Sequence, residues 1–192
     1  MSRKENDAYY TQREVAQLCV DATVALMGGS AGEVTPYVLE PSFGTGAFVE
    51  GVQQSLPKAH MHVVDIDKNL TTPFDVEKHT TGDFLEYNIK GYDLIIGNPP
   101  YKNVEAHITK ALELLNDKGC LSFLLRMSIL GSKKRMGGLW KNCYPNHVIP
   151  LVPRPSFTEK GNDTSEYGVF VWFKNMANVA CVLHKPISWK EK

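Results

Sequence analysis

Asn98-Pro99-Pro100-Tyr101 closes the apolar run Tyr92-Asp93-Leu94-Ile95-Ile96-Gly97. Proline has no N–H and a fixed φ, so a sheet ladder cannot continue through this pair. The residue ahead of a proline is driven extended, which leaves Asn98 and the neighbouring carbonyls facing out of the strand end. The Asn98 side-chain oxygen and the Pro99 carbonyl are both acceptors, suited to the two hydrogens of an amino group on a flat base. The Tyr101 ring can stack on that base. In open α/β sheets, ligands bind beyond the carboxyl ends of the strands, where this tetrapeptide falls.

A second constellation lies upstream, in Glu40-Pro41-Ser42-Phe43-Gly44-Thr45-Gly46-Ala47-Phe48. Gly44 and Gly46 permit positive φ and close approach of a ligand to the main chain. A glycine turn at a helix start commonly binds phosphate through N–H groups. Here the P-loop lysine is absent, and so is a third glycine at dinucleotide spacing, which argues against ATP and NAD. Glu40 enters the turn instead, and a carboxylate suits an amino group or a sulfonium better than a pyrophosphate. Asp65 ends the run Val63-Val64-Asp65-Ile66-Asp67, at the place where an acid reads ribose hydroxyls; Asp67 is its rival for that role. Asp83, in Thr81-Gly82-Asp83-Phe84-Leu85, can accept an exocyclic amino group, with Ile66 and Phe84 on either side of the ring. Taken singly, an Asp is more often a cap or a surface residue. In series, the three acids outline an adenosine site.

These residues need a scaffold. Short apolar runs alternate with longer helical patterns, the mark of a mostly parallel α/β sheet. The spacing predicts helices over Tyr10–Met27, Ala47–Ser55 and Val104–Leu115. It predicts strands over Tyr37–Glu40, Met61–Ile66, Val76–Thr80, Asp93–Gly97, Cys120–Arg126, His147–Val152 and Tyr167–Phe173. Val179–Leu183 is one more strand or a tail packed on the sheet, and Ser132–Asn142 is a basic helical or loop segment. The expected fold is thus α/β. No internal repeat or domain boundary is visible.

Composition narrows the function classes. The 192 residues suit one well-buried domain. Lysine plus arginine equals aspartate plus glutamate at 21 each, so no global polyanion-binding charge exists, although a local basic patch can. Cys19, Cys120, Cys143 and Cys181 are widely spaced, without the paired pattern of zinc or redox sites. No metal is called for. The start, Met1 to Asp7, is polar and charged, with no signal peptide or membrane span in view, so the expected compartment is a reducing cytoplasm.

The order of motifs resembles the S-adenosylmethionine-dependent DNA adenine-N6 methyltransferases, in the gamma-class arrangement. The residues that carry the likeness are Tyr10-Thr11-Gln12-Arg13-Glu14-Val15-Ala16, Glu40 to Phe48, Asp65, Gly82-Asp83-Phe84 and Asn98 to Tyr101. The resemblance implies a class I Rossmann-like fold, a seven-stranded mostly parallel sheet with an antiparallel strand near one edge. It implies S-adenosylmethionine as cofactor, with Tyr10, Thr11, Glu40, Pro41, Ser42, Gly44, Gly46 and Phe48 on the methionine side. Asp65 and Ile66 would meet the ribose and ring, and Asp83 and Phe84 the adenine, with Asn98 joining both halves. Asn98 and the Pro99 carbonyl would accept the target amino hydrogens, with Pro100 shaping the motif and Tyr101 stacking on the target. A later loop aromatic packs against the flipped base in this family, and Phe157 is the candidate. Lys133, Lys134, Arg135 and Arg154 (with Lys160) are candidates for DNA phosphates.

Adenine N6 is a poor nucleophile because its lone pair is delocalised into the ring. Two acceptors holding its hydrogens off the plane localise that pair, and they strengthen as positive charge develops. Tyr101 favours the same charge by cation–π attraction. Direct in-line transfer then needs no covalent enzyme intermediate. A base inside a duplex must be extruded first, at a cost of a few kcal/mol.

The sequence departs from this family in one respect. Only 55 residues separate Tyr101 from Phe157 and 19 follow Phe173, which leaves no room for a separate target-recognition domain. A specificity subunit or homodimer, short reading loops, or low sequence preference are the alternatives, and a phage or mobile-element origin is consistent with such compactness. RNA adenine or a protein glutamine amide is an alternative acceptor, although glutamine enzymes carry a sizeable helical domain before the turn, and only 39 residues precede Glu40 here. A non-catalytic DNA-binding or assembly subunit is the alternative of another class.

Overall fold

A computed structural model describes residues 10–28, 35–155, 157, 164–176 and 180–190. Lys160 and Val179 lie outside the described residues. Among the described residues nine strands run in chain order as β1 (Tyr37–Glu40), β2 (His60–Asp65), β3 (Lys78–Thr81), β4 (Tyr92–Gly97), β5 (Leu115–Arg126), β6 (His147–Val152), β7 (Tyr167–Phe173), β8 (Val182–Leu183) and β9 (Ile187–Ser188). The helices are α1 (Arg13–Leu26), α2 (Ala47–Ser55), α3 (Val104–Leu114), α4 (Lys133–Gly137) and α5 (Leu139–Asn142).

The sheet order is β3-β2-β1-β4-β5-β7-β6-β8, with β9 beside the end of β6. All pairings are parallel except those of β7, which runs antiparallel to β5 and β6. The expected seven strands and antiparallel member are therefore present. Two short strands, β8 and β9, add to them, because the main chain after residue 180 pairs twice with β6.

Strand alternation divides the core into two layers. Val38, Val63, Leu94, Ile96, Cys120 and Val171 face α1 and α2. Leu39, Val64, Ile95, Leu121, Phe123 and Trp172 face α3 and the turn at Phe84. Near-continuous apolar strands such as Leu94-Ile95-Ile96 follow from this, since both sheet faces are covered. Cys19 and Cys120 are part of the packing, and burial pushes both thiols far up. All four cysteines are free.

Several boundaries move for local reasons. The first helix begins at Arg13, not Tyr10, because Tyr10 and Thr11 are drawn into the site described below and Gln12 is extended. β2 stops at Asp65, leaving Ile66 outside the strand and 54% exposed. β5 starts five residues early at Leu115, across an irregular register with β4. A Cβ at Gly119 would lie 2.8 Å from the Tyr92 carbonyl oxygen, so the chain passes there only as glycine. The basic segment folds as the two short helices α4 and α5.

Candidate active site

The glycine turn leaves β1 at Glu40 and enters α2 at Gly46, with φ of +54° at Gly44 and +82° at Gly46. A Cβ at Gly44 would stand 3.1 Å from the Tyr10 ring, and one at Gly46 would stand 3.0 Å from Phe74. Two closely approached, left-handed residues explain why both positions are glycine. Asp65 holds the turn from the next strand: its Oδ2 accepts from the Gly44 N–H at 3.0 Å, and its Oδ1 accepts from the Asp67 N–H at 3.0 Å. Asp67 in turn accepts from Asn69. The two acids thus differ in place: Asp65 faces the turn, and Asp67 caps the loop that follows.

The turn encloses a small concavity that brings together Tyr10, Thr11, Glu40, Ser42, Gly44, Phe48 and Asn98. These come from the segment before α1, from β1 and its turn, from the first turn of α2, and from the end of β4. The Ser42 hydroxyl donates to the Pro41 carbonyl at 2.7 Å. Glu40 is 2% exposed and its Oε2 is buried with no hydrogen-bond partner among the described residues. Burial pushes this carboxyl well above the usual carboxylate range; the Val49 N–H at the start of α2 opposes the shift and the Asp65 charge adds to it. A buried, unsatisfied carboxylate oxygen costs free energy until a donor or cation meets it.

Asp83 lies past the end of β3, whose Thr81 is in register with Asp65. It is exposed, and its Oδ1 accepts from the Leu85 N–H at 2.9 Å, capping a 3-10 turn over Phe84–Glu86. Phe84 itself is buried, its ring tilted on His107 with centroids 5.5 Å apart. Of the expected pair Ile66 and Phe84, only Ile66 presents an open face.

At the end of β4 the Asn98 amide is oriented from both sides. Its Nδ2 donates to Thr11 Oγ1 at 3.2 Å, and its Oδ1 accepts from the Tyr101 hydroxyl at 2.9 Å. Pro99 is buried, Pro100 is half-buried, and Tyr101 opens the 3-10 turn that leads into α3. The Tyr101 ring carries the Arg126 guanidinium, whose carbon is 4.8 Å from the ring centroid. Arg126 Nε donates to the Tyr167 hydroxyl at 3.2 Å, and Phe157 meets the Tyr167 ring edge-on at 4.7 Å. Phe157 and Tyr101 therefore belong to one wall, joined through Tyr167.

The sequence pattern does not single out Arg126 or Tyr167. Each ends or starts a strand at the same edge as Asn98, and the strand-end rule that singled out Asn98 applies equally to them. Of the basic candidates, Arg135 is ion-paired through Nε with Glu105 Oε1 at 3.0 Å, at the first turn of α3. Lys133 and Lys134 are exposed on α4. The exposed Arg154 donates to the Thr164 carbonyl at 2.9 Å, closing the base of the Phe157 loop. Among the described residues no cluster of three or more His, Cys, Asp or Glu side chains is placed to hold a metal, and no helix is long and apolar enough to cross a membrane.

The strand order, the antiparallel β7 and the glycine turn after β1 define the class I Rossmann-like methyltransferase fold. No protein-family model and no curated protein matches the chain. Among solved structures, a type I restriction-modification system methyltransferase subunit from Streptococcus thermophilus superposes with a TM-score of 0.74 at 14% identity, over 92% of this chain and 47% of that one. A putative class I S-adenosylmethionine-dependent methyltransferase from Listeria monocytogenes gives 0.67 at 14% identity, over 94% and 67%. The N-methyltransferase NodS from Bradyrhizobium japonicum, in complex with S-adenosyl-L-homocysteine, gives 0.58 at 13% identity, over 85% and 87%. The chain spans about half the length of the restriction-modification subunit. At these identities the likeness is one of fold.

Proposed function

We propose that the protein transfers a methyl group from S-adenosylmethionine to the N6 amino group of an adenine in DNA, extruded from its stack. The observation that carries this reading is the Asn98 amide, shared between the glycine-turn concavity through Thr11 and the aromatic wall through Tyr101. One side chain thus spans a cofactor half and an acceptor half.

The residues fit the cofactor on two counts. The buried Glu40 Oε2 has no partner among the described residues and suits the amino end of a methionine. Gly44 and Gly46 leave the turn without side chains of its own, with the Tyr10 and Phe74 rings packed directly against its backbone. Asp65, whose two oxygens accept the Gly44 and Asp67 N–H groups, is our candidate for the ribose hydroxyls, and Asp83, with one oxygen capping Leu85, is our candidate for the adenine amino group. When bound, S-adenosylmethionine supplies an electrophilic methyl on a sulfonium.

Asn98 Oδ1 and the Pro99 carbonyl accept the two amino hydrogens and hold them off the ring plane. The lone pair is then directed at the methyl carbon, and the acceptors gain strength as the nitrogen becomes positive. With S-adenosylmethionine held there, the new carbon–nitrogen bond would form as its carbon–sulfur bond breaks. Amide and carbonyl oxygens are too weakly basic to keep a proton, so the excess one passes to solvent. Tyr101 and Phe157 supply stacking surface, and Lys133, Lys134 and Arg154 supply positive charge for phosphates. The DNA reading gains support from the restriction-modification subunit that the fold resembles.

Transfer of radiolabelled methyl from S-adenosylmethionine to unmethylated DNA, RNA and peptide, followed by nucleoside analysis, tests it. The expected product is N6-methyladenine in DNA. Label confined to RNA or to a glutamine amide would replace the acceptor, and cofactor binding with no transfer to any of them would leave a non-catalytic subunit.

A further inference from the structure

Arg126 ends β5, the strand beside β4. The pairing of Gly97 with Phe123 places Arg126 three residues further along, so it overhangs the acceptor motif. Its guanidinium carbon lies 4.8 Å from the Tyr101 ring centroid and 5.9 Å from that of Tyr167. Its register partner in β7 is Tyr167, which is fully buried and accepts from Nε at 3.2 Å. A guanidinium is flat and rich in N–H donors, and it stacks on an aromatic ring much as a base does. The Tyr101 hydroxyl meanwhile donates to Asn98 Oδ1, as a target amino group would. Side chains of the protein therefore stand in the two places a base requires.

A cation in that position opposes methyl transfer, because the amine becomes positive in the same space. Arg126 must yield the Tyr101 face when a base arrives. The bond from Nε to a fully buried tyrosine tethers it to the wall as it does so. An extruded base brings with it one anion, the phosphodiester of its own nucleotide, and arginine binds such oxygens with a fork of donors.

We propose that Arg126 is a positioning and substrate-binding residue: it props Tyr101 when no base is bound and engages the phosphate of the target nucleotide when one enters. This rests on the nucleic-acid reading above. The test is steady-state methylation of an adenine-containing oligonucleotide between about 50 and about 200 mM salt, with Arg126→Gln and Arg126→Lys beside the unsubstituted protein. For Arg126→Gln the expected result is a KM for oligonucleotide raised about tenfold and a log–log salt dependence shallower by about one, with S-adenosylmethionine affinity kept. Arg126→Lys should restore the salt slope, since the charge returns.

A second substrate with a neutral methylphosphonate at the target nucleotide should penalise the unsubstituted protein and leave Arg126→Gln indifferent. An unchanged salt slope, or an equal methylphosphonate penalty in both proteins, overturns the phosphate role while the methylation reading stands. No transfer to any nucleic acid by the unsubstituted protein overturns both.

Discussion

Thr11 Oγ1 accepts the Asn98 side-chain N–H at 3.2 Å, across 87 residues of sequence. The bond fixes the orientation of the Asn98 amide. The nitrogen points to the segment ahead of α1, and the oxygen is left for the acceptor side, where Tyr101 meets it. On the proposed function, Thr11 thus sets acceptor geometry from the glycine-turn side of the site.

Thr11→Val keeps the shape and removes the acceptor. The Asn98 amide then loses its orientation, and a neutral hydrogen bond of this kind is worth about 1 kcal/mol. The expected result is a kcat lowered about five- to tenfold, with Thr11→Ser close to the unsubstituted protein. Single-turnover kinetics measures it, and a loss confined to cofactor affinity would place Thr11 in binding alone.

On the proposed mechanism, Asn98→Ala removes one of the two acceptors that act on the developing charge. Loss of one such group from a preorganised site costs about 100- to 1000-fold in rate. S-adenosylmethionine affinity, read by calorimetry, should stay within about threefold, because the glycine turn, Glu40 and Asp65 are untouched. Residual transfer near the unsubstituted rate would show that the Pro99 carbonyl suffices or that the acceptor lies elsewhere.

Tyr101→Phe keeps the ring and removes the hydroxyl that occupies Asn98 Oδ1 at 2.9 Å. If that hydroxyl competes with the incoming amino group, its loss should lower the KM for DNA about twofold to fivefold. Tyr101→Ala should instead weaken binding by the stacking contribution, about 1–3 kcal/mol per base. Equal effects of the two substitutions would argue that the hydroxyl, and not the ring, is what DNA meets.

Most of the candidate site is legible in the sequence because its residues sit at strand ends. Residues that end a strand with an acid, a glycine pair or a proline pair are visible against an apolar run, and Glu40, Asp65 and Asn98 were found that way. Tyr10 was read into a helix because its spacing suits one. Its position is decided by the bare backbone of Gly44 against its ring, a tertiary contact that no local pattern reports. Arg126 and Tyr167 were passed over because each closes or opens an ordinary apolar strand; only the register of β5 with β7 makes them neighbours. The strands β8 and β9 are two residues long, below what alternation can signal. Phe84 shows the converse. Its place in the motif suggests a ligand contact, and its packing on His107 follows from the α3 layer, which the sequence does not locate relative to β3.

Glu40 offers a test with a defined sign. Its folded carboxyl titrates well above the ordinary carboxylate value, chiefly through burial. The folded protein therefore keeps a proton that the unfolded chain loses near the usual Glu pKa of about 4.3. Stability from this group is present below that pH and declines as pH rises towards the raised folded value. Glu40→Gln, which is neutral throughout, should flatten that part of the Tm–pH curve. A bound ligand with a positive amino end reverses the preference, since it favours the ionised carboxylate in the same buried place. Binding of S-adenosylmethionine to the unsubstituted protein should then release a proton, and its affinity should rise with pH through this window. Calorimetry in buffers of different ionisation enthalpy reads the proton directly. A release that persists in Glu40→Gln would assign it to another group and remove Glu40 from the methionine end.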